Sequence, residues 1–143
     1  AAKLGCDDFF EVGKHDIEGE IKKRFPQGVD RVIVSSPPES LYDALKIIKY
    51  GGMITFYGLH FGGKNTIQVD VNDLVFRKIS LIPTFAEPAI NFPVALRLLR
   101  DGLVDASAII THRFGFDEAK QTFAAIIDGT EPIIKAVMLP NGS

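Results

Sequence analysis

The chain is predicted to be an α/β protein built on a parallel β-sheet. Apolar strands and amphipathic helices alternate along its 143 residues, which is the pattern that βαβ units produce. The run Val32-Ile33-Val34 is apolar on consecutive positions, as in a strand whose two faces are both buried. Residues 29–59 form a strand–helix–strand segment of about the 30 residues expected for one βαβ unit, and its crossover should be right-handed.

The first 25 residues predict the end of a helix, a strand and a second helix. Residues 1–5 have the pattern of a last helical turn closed by Gly5, so we expect the chain to be a piece of a longer protein. Residues 9–12 predict a short strand. Asp16 is a suitable N-cap for a helix over residues 17–25. The apolar positions of that helix recur every four residues, at Ile17, Ile21 and Phe25.

The central βαβ unit is identified by the residues that end its first strand and its helix. Val29–Val34 is predicted as a strand. Ser35-Ser36-Pro37-Pro38 ends this strand and starts a helix, since serine caps helices and proline suits their first turn. The helix should run to Tyr50 and stop at Gly51-Gly52, after which residues 53–57 form the next strand.

Beyond the central unit, the alternation of strands and helices continues. Residues 67–71 alternate apolar and polar side chains, which indicates an edge or surface strand. Asp117 or a residue near it should cap the last helix, and Asp128-Gly129 should stop it. The other predicted elements are a short helix over 73–77, a strand over 79–82, a helix over 92–103, an extended segment over 109–113, a helix over 116–127 and a strand over 133–139.

The composition excludes several classes of partner. The formal net charge is −2 and the chain has no basic block, so neither nucleic acid nor an anionic membrane is expected as a partner. No apolar run approaches the roughly 20 residues of a membrane span. Cys6 is the only cysteine, so the chain can form neither an internal disulfide nor a cysteine metal cluster, and a cytoplasmic location is expected.

Four groups of residues carry a family resemblance. They are Leu4-Gly5-Cys6-Asp7; Gly28-Val29-Asp30 with Tyr50-Gly51-Gly52 and Tyr57-Gly58-Leu59; Leu74-Val75-Phe76-Arg77-Lys78; and Ile110-Thr111-His112-Arg113-Phe114 with Lys135-Ala136-Val137-Met138. In this order and spacing they resemble the zinc-dependent medium-chain alcohol and polyol dehydrogenases. The last group most resembles the sorbitol, threonine and alcohol dehydrogenase branches. The resemblance covers nearly the whole chain.

The resemblance implies a division into two parts. Residues 1–104 would be the C-terminal part of a dinucleotide-binding domain, a partial Rossmann-type doubly wound parallel sheet without its first two strands. Residues 105–143 would be a C-terminal return segment of the catalytic domain. In the strand order 3-2-1-4-5-6 of that fold, the strands at 9–12, 29–34, 53–57 and 79–82 would be strands 3 to 6.

The resemblance also implies a function for the intact protein. It would transfer hydride between a small-molecule secondary alcohol or polyol and NAD or NADP, as a homo-oligomer or beside the missing N-terminal portion. The glycine-rich turn that holds the pyrophosphate is not in this sequence, because Gly51-Gly52 follows a helix and Gly62-Gly63 lies in a surface turn. We therefore expect the isolated chain to be inactive.

The nicotinamide end of the cofactor site is expected where the strands end, because ligands of open parallel sheets bind beyond the carboxyl ends of the strands. By resemblance, backbone at two of these ends approaches the nicotinamide, and Lys135 lies near the pyrophosphate. Pro83 stands where the family commonly has glycine and lacks a backbone donor. The cofactor-binding residues predicted in this way are Ser35, Ser36, Gly58, Leu59, Thr84, Ala86 and Lys135.

Zinc is expected in the intact enzyme but not on this chain. The family holds it with Cys, His and a further Cys or Glu, and none of those motifs is present here. Cys6 stands where the family usually has alanine, so we expect a small packed residue. His112 is expected to be structural or to contact a metal ligand without binding the metal itself, and His60 is expected to lie in a surface loop. No catalytic residue is predicted in this chain.

Two alternatives stay open at this point. One is a zinc-free, quinone-reductase-like oxidoreductase that uses NADPH. The other is a binding or assembly module without catalysis. A glycine-rich turn and zinc ligands encoded upstream of Ala1 would decide for the zinc-dependent enzyme.

Overall fold

The computed structural model describes residues 5–63 and 65–141, so all but the last residue of the helical turn predicted over residues 1–5 lies outside the described part. The fold divides into two compact units. One is Phe10–Ala86, and the other combines Glu87–Ser143 with Ala1–Phe9. The division that the sequence suggests at residue 104 stays a prediction about domains.

The unit Phe10–Ala86 is built on three parallel strands. These are β1 (Val29–Val34), β2 (Ile48–Phe56) and β3 (Ser80–Pro83), hydrogen-bonded in the order β1-β2-β3. This is the order expected for strands 4, 5 and 6 of a doubly wound sheet. The predicted α/β class with a parallel sheet is confirmed.

One face of this sheet carries the buried core. Helix α2 (Leu41–Ile47), which follows a single 3₁₀ turn at Pro38–Ser40, packs on β1 and β2. Helix α1 (Ile17–Arg24) packs against α2 and is capped by Asp16, whose carboxylate accepts from the Gly19 N–H at 3.1 Å. The buried side chains are Val34, Leu41, Ala44, Ile48 and Ile54.

Helix α2 ends earlier than predicted. The helix stops at Ile47 instead of Tyr50, and β2 begins at Ile48. Gly51 does not stop a helix; it has a φ of +70° inside an irregular stretch of β2, where the pairing with β1 shifts register. A positive φ of this kind favours glycine and is typical of a bulged strand.

Arg77 fixes this early helix end. It is the last residue of helix α3 (Val71–Arg77). Its guanidinium donates to the carbonyl oxygens of Leu45 at 3.1 Å and Ile48 at 2.6 Å, and to the Asp73 carboxylate at 2.9 Å. Carbonyls at the end of a helix lack intrahelical partners. Arg77 therefore supplies hydrogen bonds to carbonyl oxygens at the end of α2 that have no partner within the helix.

Two predicted strands are wrong. Residues 9–12 form only an isolated bridge between Val12 and His15, and Phe9 and Val12 are 71% and 81% exposed. The strand predicted over 67–71 does not form either: residues 67–70 are irregular, Val71 begins α3, and Gln68 N–H donates to the Tyr42 hydroxyl at 3.0 Å. A strand needs a neighbouring strand for its backbone groups, and neither segment has one among the described residues.

Asp70 begins helix α3 before the predicted position. Its carboxylate accepts from the N–H groups of Asn72 at 2.9 Å and Asp73 at 3.3 Å, so α3 starts at Val71. Lys78, the residue after the helix, is its C-cap and has a φ of +51°. Strand β3 follows directly and covers most of the strand predicted over 79–82.

Among its described residues, the second unit contains three helices and a small parallel sheet. Its elements are α4 (Pro88–Arg100), α5 (Ala106–Ile109), β4 (His112–Phe114), α6 (Ala119–Asp128) and β5 (Ala136–Met138). A 3₁₀ turn at Phe116–Glu118 precedes α6, and Gly129 ends it with a φ of +62°. In place of a side-chain cap from Asp117, Glu118 accepts from the Gly115 N–H at 2.8 Å. None of the helices in the described part of the chain has the length and apolar character that a membrane span needs.

Candidate functional site

Three pairs of predicted site residues follow the ends of the three parallel strands. Because the strands are parallel and in register, these ends lie at one edge of the sheet. The pairing continues just past the strands: Tyr57 N–H donates to Val34 O at 3.0 Å, and Thr84 N–H donates to Phe56 O at 2.9 Å. The pairs are Ser35 and Ser36 after β1, Gly58 and Leu59 after β2, and Thr84 and Ala86 after β3.

The chain leaving β2 crosses closely over the end of β1. A Cβ atom at Gly58 would lie 1.8 Å from the carbonyl oxygen and 2.6 Å from the carbonyl carbon of Ser36. Both atoms belong to backbone and cannot turn away as a side chain would. The crossing therefore requires glycine at position 58.

A groove of about 380 Å³ lies between the ends of β2 and β3. Thr84 lines it, but its N–H is already used by the sheet. Among the described residues, the N–H groups of Leu59 and Phe85 have no hydrogen-bond partner, so they remain available to a ligand. The lining residues are Phe56, Tyr57, Gly58, Leu59, Pro83, Thr84 and Phe85.

Not all predicted residues reach this groove. Ser36 lines a neighbouring cavity instead, and neither Ser35 nor Ala86 lines either space. Pro83 belongs to β3 and pairs with Phe56. Its missing N–H costs no sheet bond, because in the described part of the chain β3 has a strand on one side only. Phe85 was not predicted as a cofactor-binding residue, since only its place after β3 could have indicated that role.

Lys135 belongs to the other compact unit. Its carbonyl oxygen accepts from the N–H groups of Thr111 at 3.0 Å and His112 at 3.2 Å. These bonds hold the chain before β5 against the start of β4. Through its carbonyl oxygen, the Lys135 backbone therefore helps to hold this small sheet together.

His112 ties together the loop that precedes β5. Its Nδ1 lies 2.8 Å from Thr111 Oγ1, and its Nε2 lies 3.1 Å from Glu131 Oε2. Thr111 Oγ1 also accepts from Ile134 N–H at 3.1 Å. Both ring nitrogens of His112 thus have partners that hold the loop in place.

No metal site is found in the part of the chain that the structure describes: no three His, Cys, Asp or Glu side chains gather there. Cys6 is exposed, and its Sγ donates to the Asp8 carbonyl oxygen at 2.7 Å. The prediction of a packed cysteine is therefore wrong, because Cys6 is exposed among the described residues. His60 lines the cavity beside the groove.

An ion pair lies away from these strand ends, where β1 and β2 begin. Lys49 Nζ lies 2.5 Å from Asp30 Oδ1. Its hydrogen bond, together with its positive charge, lowers the pKa of Asp30 below the ordinary range. The pair spans the irregular part of the β1–β2 pairing.

Comparison with known proteins identifies the family. The profile described as "Zinc-binding dehydrogenase" matches residues 1–101, which is more than half of the chain. The chain belongs to the zinc-binding dehydrogenase family.

One curated relative is the D-arabitol-phosphate dehydrogenase of Enterococcus avium, which is 27% identical over 135 residues; the match covers 92% of this chain and 37% of the relative. Two solved structures share the fold. Benzyl alcohol dehydrogenase from Acinetobacter calcoaceticus has a TM-score of 0.78 at 24% identity and covers 96% of this chain and 38% of its own. A putative zinc-binding dehydrogenase from Sinorhizobium meliloti 1021, solved bound to NADP, has a TM-score of 0.81 at 21% identity, with 97% and 41% covered.

The zinc-binding dehydrogenase chain therefore spans about 37% of the length of its first curated relative. Its sheet is the Rossmann-type sheet of these structures. The relatives found are alcohol and polyol dehydrogenases, and they do not favour a quinone reductase or a module without catalysis.

Proposed function

We propose that this chain forms the nicotinamide end of the dinucleotide site in an oxidoreductase. The enzyme would transfer hydride between a secondary alcohol or polyol and NAD or NADP. The observation that carries the proposal is the groove where β2 and β3 end, in a chain of this family, with free N–H groups at Leu59 and Phe85. The NADP-bound relative, although only similar in fold, supports the same assignment.

The residues present fit a nicotinamide ring and its carboxamide. Leu59 and Phe85 offer apolar side chains for the ring faces, and their N–H groups can donate to the carboxamide oxygen. Gly58 keeps the backbone close to Ser36 and leaves the floor of the groove free of a side chain. When bound, the dinucleotide would supply the hydride acceptor; the chain's part is to orient the ring and exclude water from it.

The described residues do not fit zinc, since no set of ligands gathers there. No step of the reaction is therefore assigned to a metal on this chain. We propose that zinc and the pyrophosphate site are supplied by polypeptide corresponding to the part of the relatives that the alignment leaves uncovered. On this proposal the isolated chain has no turnover.

A second part of the proposal concerns assembly. Ile33, Thr55 and Ile82 pair across the three strands and so form a row on the sheet face opposite the core. Ile33 is 71% and Ile82 is 39% exposed, whereas parallel sheets are normally covered on both faces. We propose that a second copy, or the polypeptide just described, covers this row. The cytoplasmic location expected from the sequence stays a prediction.

The nicotinamide assignment can be tested on the chain alone. Amide NMR signals of the ¹⁵N-labelled chain would be followed during titration with nicotinamide mononucleotide, and separately with adenosine monophosphate. We expect weak binding that moves the signals of Gly58, Leu59, Thr84 and Phe85 with the first compound only, because the adenosine end of the site is not assigned to this chain.

A variant sharpens this experiment. Leu59→Glu should abolish the shifts by placing a carboxylate in the groove, while Val75→Glu, on the exposed surface of α3, should leave them unchanged. Shifts confined to other regions, or none at saturating mononucleotide, would overturn the assignment.

The enzymatic part is tested by expressing the chain with any sequence encoded upstream and measuring NAD and NADP reduction with a panel of secondary alcohols and polyols.

A further inference from the structure

A second space, larger than the groove, lies beside it on the core side of the sheet. It is a cavity of about 530 Å³. Val34, Leu41 and Leu81 form its floor, and Ile67 and Val69, from the segment that precedes α3, form its cover. Neither Thr84 nor Phe85 lines it. The groove and the cavity are therefore separate spaces that share only the wall made by Phe56, Gly58 and Leu59.

The cover of the cavity is held by bonds outside the cavity itself. Gln68 N–H donates to the Tyr42 hydroxyl of α2 at 3.0 Å. Asp70 caps α3 through the N–H groups of Asn72 and Asp73. Ile67 packs against the core. The residues on either side of Val69 are thus anchored, which holds this part of the cover in place.

The chemistry of the lining favours an uncharged ligand. Among the described residues, no Lys, Arg, Asp or Glu lines the cavity. The described lining residues would offer an anion or cation no opposite charge to offset the hydration that it loses. Most lining side chains are aliphatic or aromatic, which suits apolar carbon.

Three polar side chains give the cavity limited polarity. Ser36, His60 and Asn65 line it, and within the described residues none of the three has a hydrogen-bond partner. A few unpaired polar groups in a mainly apolar space can orient one hydroxyl or carbonyl. They are too few for a polyol, because each of its hydroxyl groups would need a protein hydrogen bond in place of the one it makes to water.

We propose that this cavity is a binding site for a small, uncharged, mainly apolar molecule that carries one hydroxyl or carbonyl group. Its volume is within the roughly 300–1,000 Å³ of small-molecule sites and is ample for one aromatic ring with a short substituent. The site is separate from the dinucleotide groove, and its occupation does not depend on the proposed function.

The test uses the full chain and three probes of similar size. ¹⁹F NMR would measure binding of 4-fluorobenzyl alcohol and 4-fluorobenzoate, and competition with xylitol would be measured against the first. We expect 4-fluorobenzyl alcohol to bind about tenfold or more tightly than the other two, because burying a carboxylate or several hydroxyls without partners is costly. Equal or tighter binding of 4-fluorobenzoate or xylitol would overturn the proposal.

The position of the bound probe is tested in the same samples. Amide signals of Leu41, Ile67, Val69 and Leu81 should shift with 4-fluorobenzyl alcohol, and those of Thr84 and Phe85 should not. Shifts confined to Thr84 and Phe85 would assign the ligand to the groove and refute a separate site. This shift measurement uses the wild-type chain, so its result is valid even if a variant fails to fold.

Val69→Phe should fill the cavity and weaken binding of 4-fluorobenzyl alcohol at least about tenfold, since the added ring takes the ligand's place. Val75→Phe is the matched control, because Val75 is 65% exposed on α3 and outside the cavity. Thermal unfolding of both variants shows that they are folded. Unchanged binding in folded Val69→Phe would contradict the proposal, whatever the outcome of the mononucleotide titration.

Discussion

Gly58 and Ser36 make a close backbone crossing at the site edge of the sheet: a Cβ at Gly58 would lie 1.8 Å from Ser36 O. This crossing brings the end of β2 over the end of β1 and fixes the wall shared by the groove and the cavity. Gly58 therefore serves both the packing of the strands and the shape of the site.

Gly58→Ala should lower the free energy of unfolding by about 1–3 kcal/mol, because two backbone segments must move apart. Gly115→Ala is the control: Gly115 has an ordinary φ of −82°, and its added Cβ would meet nothing closer than 3.7 Å. Urea unfolding of both variants measures the difference. Equal stabilities would show that the crossing relaxes without cost.

Arg77→Ala should lower the free energy of unfolding by about 1–3 kcal/mol, because the carbonyls of Leu45 and Ile48 lose a charged donor. Arg77→Lys should recover only part of the loss, since an ammonium cannot reproduce the planar fork. Arg97→Ala is the control, as its side chain has no hydrogen bond or ion pair among the described residues. Thermal unfolding that ranks Arg97→Ala equal to Arg77→Ala would contradict this role.

The elements that the sequence predicted well are those with local signals. β1 has the predicted bounds, because an apolar run lies between a glycine turn and Ser35-Ser36. The order of the three strands followed from parallel βαβ units. With that order, the positions of Ser36, Gly58 and Thr84 at one edge followed from topology alone.

The parts that were predicted wrongly depend on distant partners. The end of α2 is set by Arg77, which is 29 residues beyond Ile48, and no local pattern announces that bond. The alternation over 67–71 reflects Ile67 and Val69 turning toward the core and cavity, without a neighbouring strand. Phe85 and the cavity arise from the way β3 and the segment before α3 meet the sheet.

The pKa of Asp30 should be below the ordinary value of about 3.9 because of Lys49. A lowered folded-state pKa means that the pair stabilises the fold above the unfolded-state pKa, and that this contribution is lost as pH falls through the folded-state pKa. Lys49→Met should move the pKa of Asp30 back up, whereas Lys46→Met should not, since Lys46 pairs with Asp43. Carboxyl NMR titration measures both; an unchanged pKa in Lys49→Met would refute the assigned cause.

The purified chain should contain far less than one zinc per molecule, because the described residues gather no set of three ligands. Cys6→Ser should leave the zinc content unchanged, as Cys6 is exposed and its Sγ bonds the Asp8 carbonyl. Elemental analysis after exhaustive dialysis measures this. A stoichiometric content that disappears in Cys6→Ser would mean that Cys6 shares a metal with another molecule.

The isolated chain should associate with itself at micromolar concentration, because the row of Ile33, Thr55 and Ile82 leaves one face of a parallel sheet uncovered. β1 also has a strand on one side only among the described residues, and an open edge of unpaired backbone groups favours pairing with another chain.

Ile33→Glu should shift the chain toward monomer by placing a charge in this face. Ile127→Glu is the control, since Ile127 is 81% exposed on α6, outside the sheet. Analytical sedimentation measures the mass of each species. The prediction is contradicted if the wild-type chain is monomeric throughout. It is also contradicted if Ile127→Glu dissociates as fully as Ile33→Glu.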